Sequence, residues 1–377
     1  MSDQLKTVDQ LTITFLVDNC IEWFTKLPPG FTHELPQHLR FHHPEIDEVT
    51  NTPVLDFDKF CCGAHGFSAL IQTTISDEPS ASASHLVLFD TGPDTQSLIR
   101  NLSAMQIPVE NINRVITSHW HSDHTGGLLS FLKLRNGDNE SASTSPSAPP
   151  PVPPCACIVD VHPDQPIARG IAPGPTYDKV VCRLPPDPRF EQIEQAGGVV
   201  EKHSEGHTVA NGSVYVSGEI PRVTPYEAGL PGAMRWKVGE DGKGSWVPET
   251  HIMDERYAAI DVAGKGLVLF SACSHAGIVN VVKDAVSKFA RPVYMVIGGL
   301  HLAGADFSPR IGPTVKFLSE ELKPAVCYVL PMHCSGFEAK VALQQAFGEG
   351  CVPAGVGLKV DVVGDREQDK RLLAAVY

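Results

Sequence analysis

The chain has 377 residues, 42% hydrophobic and 20% charged, a balance that suits a packed globular protein and excludes wholesale disorder. Thirty Lys and Arg against 44 Asp and Glu leave a net charge of −14, which argues against nucleic acid or an anionic membrane as a partner. No run of about 18 apolar residues occurs, and the opening MSDQLKTVDQ lacks the basic-then-apolar profile of an export signal, so a cytoplasmic protein with reduced cysteines is expected.

Short β-type runs are predicted at 11–19, 66–75, 85–90, 113–120, 212–220, 292–300 and 324–330. A hairpin is predicted at 256–272, where AGKG joins two apolar runs. Helical patterns occupy 95–105, 124–134, 277–289, 312–322 and 337–347. Strands thus dominate with helices interspersed, which predicts an α/β protein of two packed sheets covered by helices. The segment 137–154, GDNESASTSPSAPPPVPP, has no apolar periodicity and reads as a disordered Ser/Pro-rich surface insertion in what is otherwise one domain over 1–377. A shorter polar stretch at 76–84 reads as a hairpin tip. Residues 231–248, Gly-rich and with two tryptophans, read either as a lid over a site or as a plain surface loop. His33, His38, His42 and His43 fall in a Pro-rich N-terminal segment and read as solvated loop residues.

The 16 histidines are unevenly spread. In TSHWHSDHTGGL, residues 117–128, His119, His121, Asp123 and His124 lie within six positions, directly after an apolar strand. Alternation at the strand end puts His119 and His121 on one side, and the turn into a helix brings Asp123 and His124 to the same mouth. Imidazole and carboxylate at this density suit Zn²⁺, with Fe or Mn as alternatives.

The pattern HxHxDH followed by TGGL resembles the signature of the metallo-β-lactamase-fold hydrolases, and LFDTGP at 88–93 resembles that fold's upstream Asp motif at Asp90. HGFSALI at 65–71, SGEIPRVTPYE at 217–227, CSHAGIVN at 273–280, GGLHL at 298–302 and PMHCSG at 331–336 are similar to the branch described as dihydropteroate synthase-like. Together the motifs cover nearly the whole chain, from about residue 11 to 347. The resemblance implies a four-layer αββα sandwich with one or two metals at the sheet edge. His119 and His121 would hold a first metal, Asp123 and His124 a second. His275 and His333, each following an apolar strand, would complete the first and the second respectively.

Two departures from the family pattern leave choices open. His207, in EGHT, is similar to a family ligand position and competes with His275. Where a bridging Asp is expected the chain reads SACSH, so Cys273 or Ser274 stands in its place. His301 is a further candidate, as an acid, a substrate-binding group or a donor to a ligand. Asp90 would orient a ligating histidine through a hydrogen bond, and Asp123 would both ligate metal and accept the nucleophile's proton. Arg222 would bind an anionic substrate oxygen or take part in a loop ion pair.

The activity expected from these residues is metal-dependent hydrolysis, in which a metal-bound hydroxide attacks an acyl bond of a small molecule such as a lactam, lactone or thioester. Alternatives are a phosphodiesterase, a synthase acting on a pterin precursor as the branch name suggests, and an iron-dependent oxidoreductase. Oligomeric state is not legible.

Overall fold

A computed structural model describes residues 4–41, 45–76, 84–137 and 155–377. All of the expected insertion at 137–154 but its first residue, most of the 76–84 tip, and His42 and His43 lie outside these residues.

The site-bearing architecture follows from strands that are apolar on both faces. Phe89 and Ile116 point inward from one sheet, while their neighbours Leu88 and Val115 point outward into helices; Phe270 and Leu269 divide the same way in a second sheet. Because side chains alternate with period two, doubly buried strands need a layer on each side. The layers are as expected, helix–sheet–sheet–helix.

Among the described residues, one sheet has eight strands, in the spatial order Gly198–Lys202, Cys157–Val161, Arg114–Ile116, Ser84–Phe89, Ser68–Thr74, Gln10–Val17, Lys359–Val363 and Phe31–Thr32. The other has seven. Six run in the order His207–Val209, Val214–Val216, Ala258–Val262, Gly266–Ser271, Val293–Gly299 and Tyr328–Met332, and Thr7–Val8 pairs with Ala258–Val262. The inner core joins Phe15, Phe89 and Ile116 to Ile260, Phe270 and Ile297. Outside, the helices Ser97–Ala104 and Leu128–Asn136 cover the first sheet through Leu98, Leu102, Phe131 and Leu132. Ile278–Phe289 covers the second with Ile278, Val279, Val281, Val282, Ala285 and Val286, the i, i+3, i+4, i+7 stripe of an amphipathic helix.

Strand direction decides where the chemistry can gather. Ser84–Phe89, Arg114–Ile116 and Cys157–Val161 are mutually parallel, as are Gly266–Ser271, Val293–Gly299 and Tyr328–Met332. Parallel neighbours require crossover connections, here largely helical, so within each set all the carboxyl ends open on one edge. Asp90, Thr117, Ala272, Leu300 and His333 directly follow five of those six ends.

Three local expectations change. The helix predicted at 124–134 is two, Ser122–Thr125 and Leu128–Asn136, separated by Gly126 and Gly127. A Cβ on Gly126 would lie 2.1 Å from the Pro93 carbonyl oxygen, and one on Gly127 2.2 Å from that of Thr91. The TGGL glycines therefore let the metal-motif turn press against the LFDTGP loop. Residues 231–248 are not a plain loop: they hold a hairpin, Ala233–Val238 with Gly244–Pro248, joined to Arg169–Ile171 and Cys182–Arg183 in a four-stranded sheet. Trp236 pairs with Trp246 across it, ring centroids 5.2 Å apart. His33 and His38 are buried rather than solvated: His38 Nε2 meets Glu34 Oε1 at 2.9 Å and His33 Nε2 donates to the Thr25 carbonyl at 2.6 Å. Their polar partners make burial affordable.

Candidate metal centre

His119, His121 and His275 converge. His119 Nε2 lies 2.9 Å from His121 Nδ1, and His275 Nε2 lies 3.2 Å from each. The His119 tautomer follows from its other nitrogen. Nδ1–H donates to Ser118 Oγ at 2.9 Å, and Ser118 Oγ–H donates to Asp90 Oδ2 at 2.7 Å, so His119 Nε2 is a bare lone pair. Burial, joined by repulsion from the neighbouring imidazoles, holds His119 and His275 neutral well below the usual histidine range. Burial and then Arg169 bring His121 down to about 3. Nitrogens aimed at one another in a dry site call for a cation between them. A tetrahedral ion with bonds of about 2.0–2.1 Å spaces its nitrogen ligands by roughly 3.3 Å, which the triad matches.

A second set adjoins the first. His333 Nε2 lies 3.3 Å from Asp123 Oδ2 and His124 Nε2 lies 3.6 Å from it. His124 Nδ1–H donates to Asp90 Oδ2 at 2.8 Å, and His333 Nδ1–H donates to Asn19 Oδ1 at 3.1 Å, leaving both Nε2 atoms to face Asp123. Burial works against a charge on His124, but Asp123 and Asp90 outweigh it and raise the ring to about 9. Asp123 with His124, Cys273 and His333, and His119 with Cys273 and His275, each place their ligand atoms within 4.8 Å of one another. All six sequence-predicted ligands therefore meet, in two adjoining groups that could hold one or two metals.

The open choices at the site close as follows. His207 is elsewhere, with Nε2 2.7 Å from Asp160 Oδ2, and it is His275 that lies beside His119 and His121. Ser274 is committed to the Gly299 carbonyl at 2.7 Å and to Ser271, leaving Cys273 to face the histidines, with Sγ 3.1 Å from His124 Nε2. His301 is packed against His275, ring centroids 4.6 Å apart, and its buried Nδ1 has no hydrogen-bond partner. Arg222 donates to the Ile220 carbonyl at 3.4 Å and approaches the Met253 sulfur at 3.5 Å. Glu227 caps the helix Ile278–Phe289, accepting from the Val279 and Asn280 amides at 2.9 and 2.8 Å.

Sequence reasoning missed the supporting shell. Asp18 accepts the His333 amide at 2.6 Å, and the Glu255 carboxylate accepts the His275 and Ala276 amides at 2.7 Å each. Arg169 binds Asp254 and Glu249, and Asp254 in turn accepts the Trp120 amide at 2.7 Å. Behind the strand end, buried Arg256 donates to Asp160 Oδ1 at 2.8 Å and to the Thr117 carbonyl at 2.6 Å. Burial works to raise the Asp160 carboxyl, but His207 and Arg256 hold it below the carboxylate range. None of these carries a local sequence signal, because each partner comes from a distant segment. Strain also collects here: Asp90, Ser274, His301 and His333 all have positive φ, between 43° and 58°.

The cluster opens into a cleft of ≈ 520 Å³. Its far wall is apolar and comes from the four-stranded sheet and the turn before it: Ile171, Leu230, Pro231 and Met234. A larger cavity of ≈ 610 Å³ near His38 and Arg100 lies away from the ligand groups.

Residues 81–224 match the model of the metallo-beta-lactamase superfamily. A protein of Methanocaldococcus jannaschii named 7,8-dihydropterin-6-methyl-4-(beta-D-ribofuranosyl)-aminobenzene-5'-phosphate synthase is 29% identical over 286 residues, 76% of this chain and 85% of that protein. The uncharacterized protein MJ0448 of the same organism is 26% identical over 74% of this chain and 88% of its own length. The crystal structure of Tm1679, described as a metal-dependent hydrolase of the beta-lactamase superfamily, superposes with a TM-score of 0.57 at 19% identity, covering 94% of this chain and 99% of that one. With the sandwich, the edge location of the candidate ligands and the match of residues 81–224 to the superfamily model in agreement, the chain has the metallo-β-lactamase fold.

Proposed function

We propose that the protein is a metal-dependent hydrolase, most simply a zinc enzyme, that cleaves an acyl bond in a small molecule with an apolar body. The observation that carries this reading is the convergence of six ligand side chains on one edge beneath an apolar cleft. A divalent ion in such a set acts as a Lewis acid on a carbonyl oxygen and acidifies water at neutral pH.

The chain's own groups account for the remaining tasks. Asp90 fixes His124 directly and His119 through Ser118, so two ligands depend on one carboxylate. Asp123, at the mouth of the cleft, accepts a proton on Oδ2 from the attacking water. His301 lines the same cleft and donates a proton to the leaving atom. Burial opposes its charge, yet Cys334, Glu255 and Asp123 raise it above the ordinary histidine value. Ile171, Leu230 and Met234 exclude water and seat the substrate's apolar part.

A second reading, synthesis of a pterin conjugate, is favoured by the synthase relative. Against it stands the cleft's charge. Among the described residues the lining cation other than histidine is Arg169, and its guanidinium is taken up by Asp254, Glu249 and the Trp120 carbonyl. A phosphate-bearing substrate would find no free arginine or lysine there.

A screen of lactam, lactone, thioester and phosphodiester substrates with and without chelator tests the proposal. Formation of the dihydropterin–aminobenzene product is assayed alongside. Chelator-sensitive acyl hydrolysis is expected. Turnover of phosphodiesters alone, or of the pterin conjugate alone, would overturn the acyl reading.

A further inference from the structure

His65, the first residue of the HGFSALI motif, stands on the rim of the cleft, beside the Asp123 group but outside it. The backbone places it there by close approach. A Cβ on Gly66 would lie 2.2 Å from the Asp123 carbonyl oxygen, so only glycine lets this segment press against the metal-motif turn. The His65 ring packs on His333, centroids 4.7 Å apart, and 70% of the side chain stays exposed to the cleft mouth.

Asn19 fixes which nitrogen of His65 carries the proton. Its Oδ1 accepts the His333 Nδ1 proton at 3.1 Å, which leaves Nδ2, a donor only, 3.1 Å from His65 Nδ1. His65 Nδ1 must therefore accept, and in the neutral ring the proton sits on Nε2. That nitrogen is 3.9 Å from Asp123 Oδ2, beyond hydrogen-bond reach, and no hydrogen bond to a described residue occupies it.

We propose that His65 is a catalytic residue whose Nε2–H donates a hydrogen bond to the substrate's carbonyl oxygen and stabilises the negative charge that develops there. The proton stays on Nε2 throughout. The proposal rests on the acyl-hydrolase reading and gives its substrate an orientation. His65 flanks the half of the cleft that holds Asp123 and His333, while His301 packs on His275 in the other half. The acyl oxygen then lies toward His65 and the leaving atom toward His301. A donor fixed and unpartnered before substrate arrives needs no reorganisation during the reaction.

Two measurements on the zinc-loaded full chain test the role. Long-range proton–nitrogen NMR of the histidine rings, with His65→Gln to assign the signal, should show His65 protonated on Nε2 and bare on Nδ1. With an acyl substrate, His65→Ala should lower kcat by about 10²–10³-fold, the loss expected for one oxyanion donor. KM, zinc content and the circular dichroism spectrum should not change, because the bond strengthens only in the transition state. His65→Gln keeps an N–H at similar reach and should stay within about tenfold of the wild type. A proton on Nδ1 instead, an unchanged kcat in His65→Ala, or zinc lost from both variants overturns the role of His65 alone. A wild-type chain that shows the expected tautomer but hydrolyses no acyl substrate overturns the proposed function, and the donor role with it.

Discussion

The Asp90 carboxylate accepts the Nδ1 proton of His124 at 2.8 Å through the same oxygen that accepts the Ser118 hydroxyl at 2.7 Å. Since Ser118 in turn receives the His119 Nδ1 proton, one buried carboxylate sets the tautomer of a histidine in each ligand group. Asp90→Asn keeps the shape and removes that acceptor. Metal affinity should fall by about 10–100-fold, as for other partners that orient ligating histidines, while the fold persists. Isothermal titration of the stripped protein with zinc, beside circular dichroism, measures both.

The two groups should empty separately. His333→Ala takes a ligand from the Asp123 group alone, so metal content by mass spectrometry should drop by about one equivalent in a protein that holds two. His119→Ala should cost the equivalent held by His121 and His275, together with chelator-sensitive turnover. Equal metal content in both variants and the wild type would contradict the assignment.

Arg256 and Asp160 form a buried pair behind the motif strand, 1% and 0% exposed. Removing one partner strands the other's charge. Arg256→Ala should destabilise the protein by about 3–5 kcal/mol, visible as a lower guanidinium midpoint. An unchanged midpoint would mean that water or His207 compensates.

Burial pushes the Glu227 carboxyl up to about 7 from its ordinary 4.5, despite two amide donors. A raised folded value means that the native state binds the extra proton. The contribution to stability is therefore full below about pH 4.5 and lost as the pH rises through about 7. Glu227→Gln should flatten the fall in Tm between pH 5 and 7, with a difference on the order of 2 kcal/mol across that window. Matching Tm-against-pH curves for wild type and variant would refute it.

Local pattern determined much of this protein. Apolar runs gave the strands, the 3.6-residue stripe of Ile278–Phe289 gave its helix, and HxHxDH carried four candidate ligands in six positions. His275 and His333 were legible because each follows an apolar strand at the edge where parallel strands end. Pattern favoured His275 over His207, because His207 precedes its strand rather than following one, but left His207 open as a replacement or supplement. In the tertiary structure His207 is tied to Asp160, one strand over from the motif, and His275 lies beside His119 and His121. The same holds for Cys273 against Ser274, adjacent residues whose side chains part ways because Ser274 adopts a positive φ and bonds the next strand's end at Gly299. Asp18, Ser118, Glu255 and Arg256 had no sequence signature, because a hydrogen bond between segments far apart in the chain leaves no periodicity to read. The carboxylates and hydroxyl that orient the site's histidines come together only once both sheets are packed, because their partners lie on distant segments.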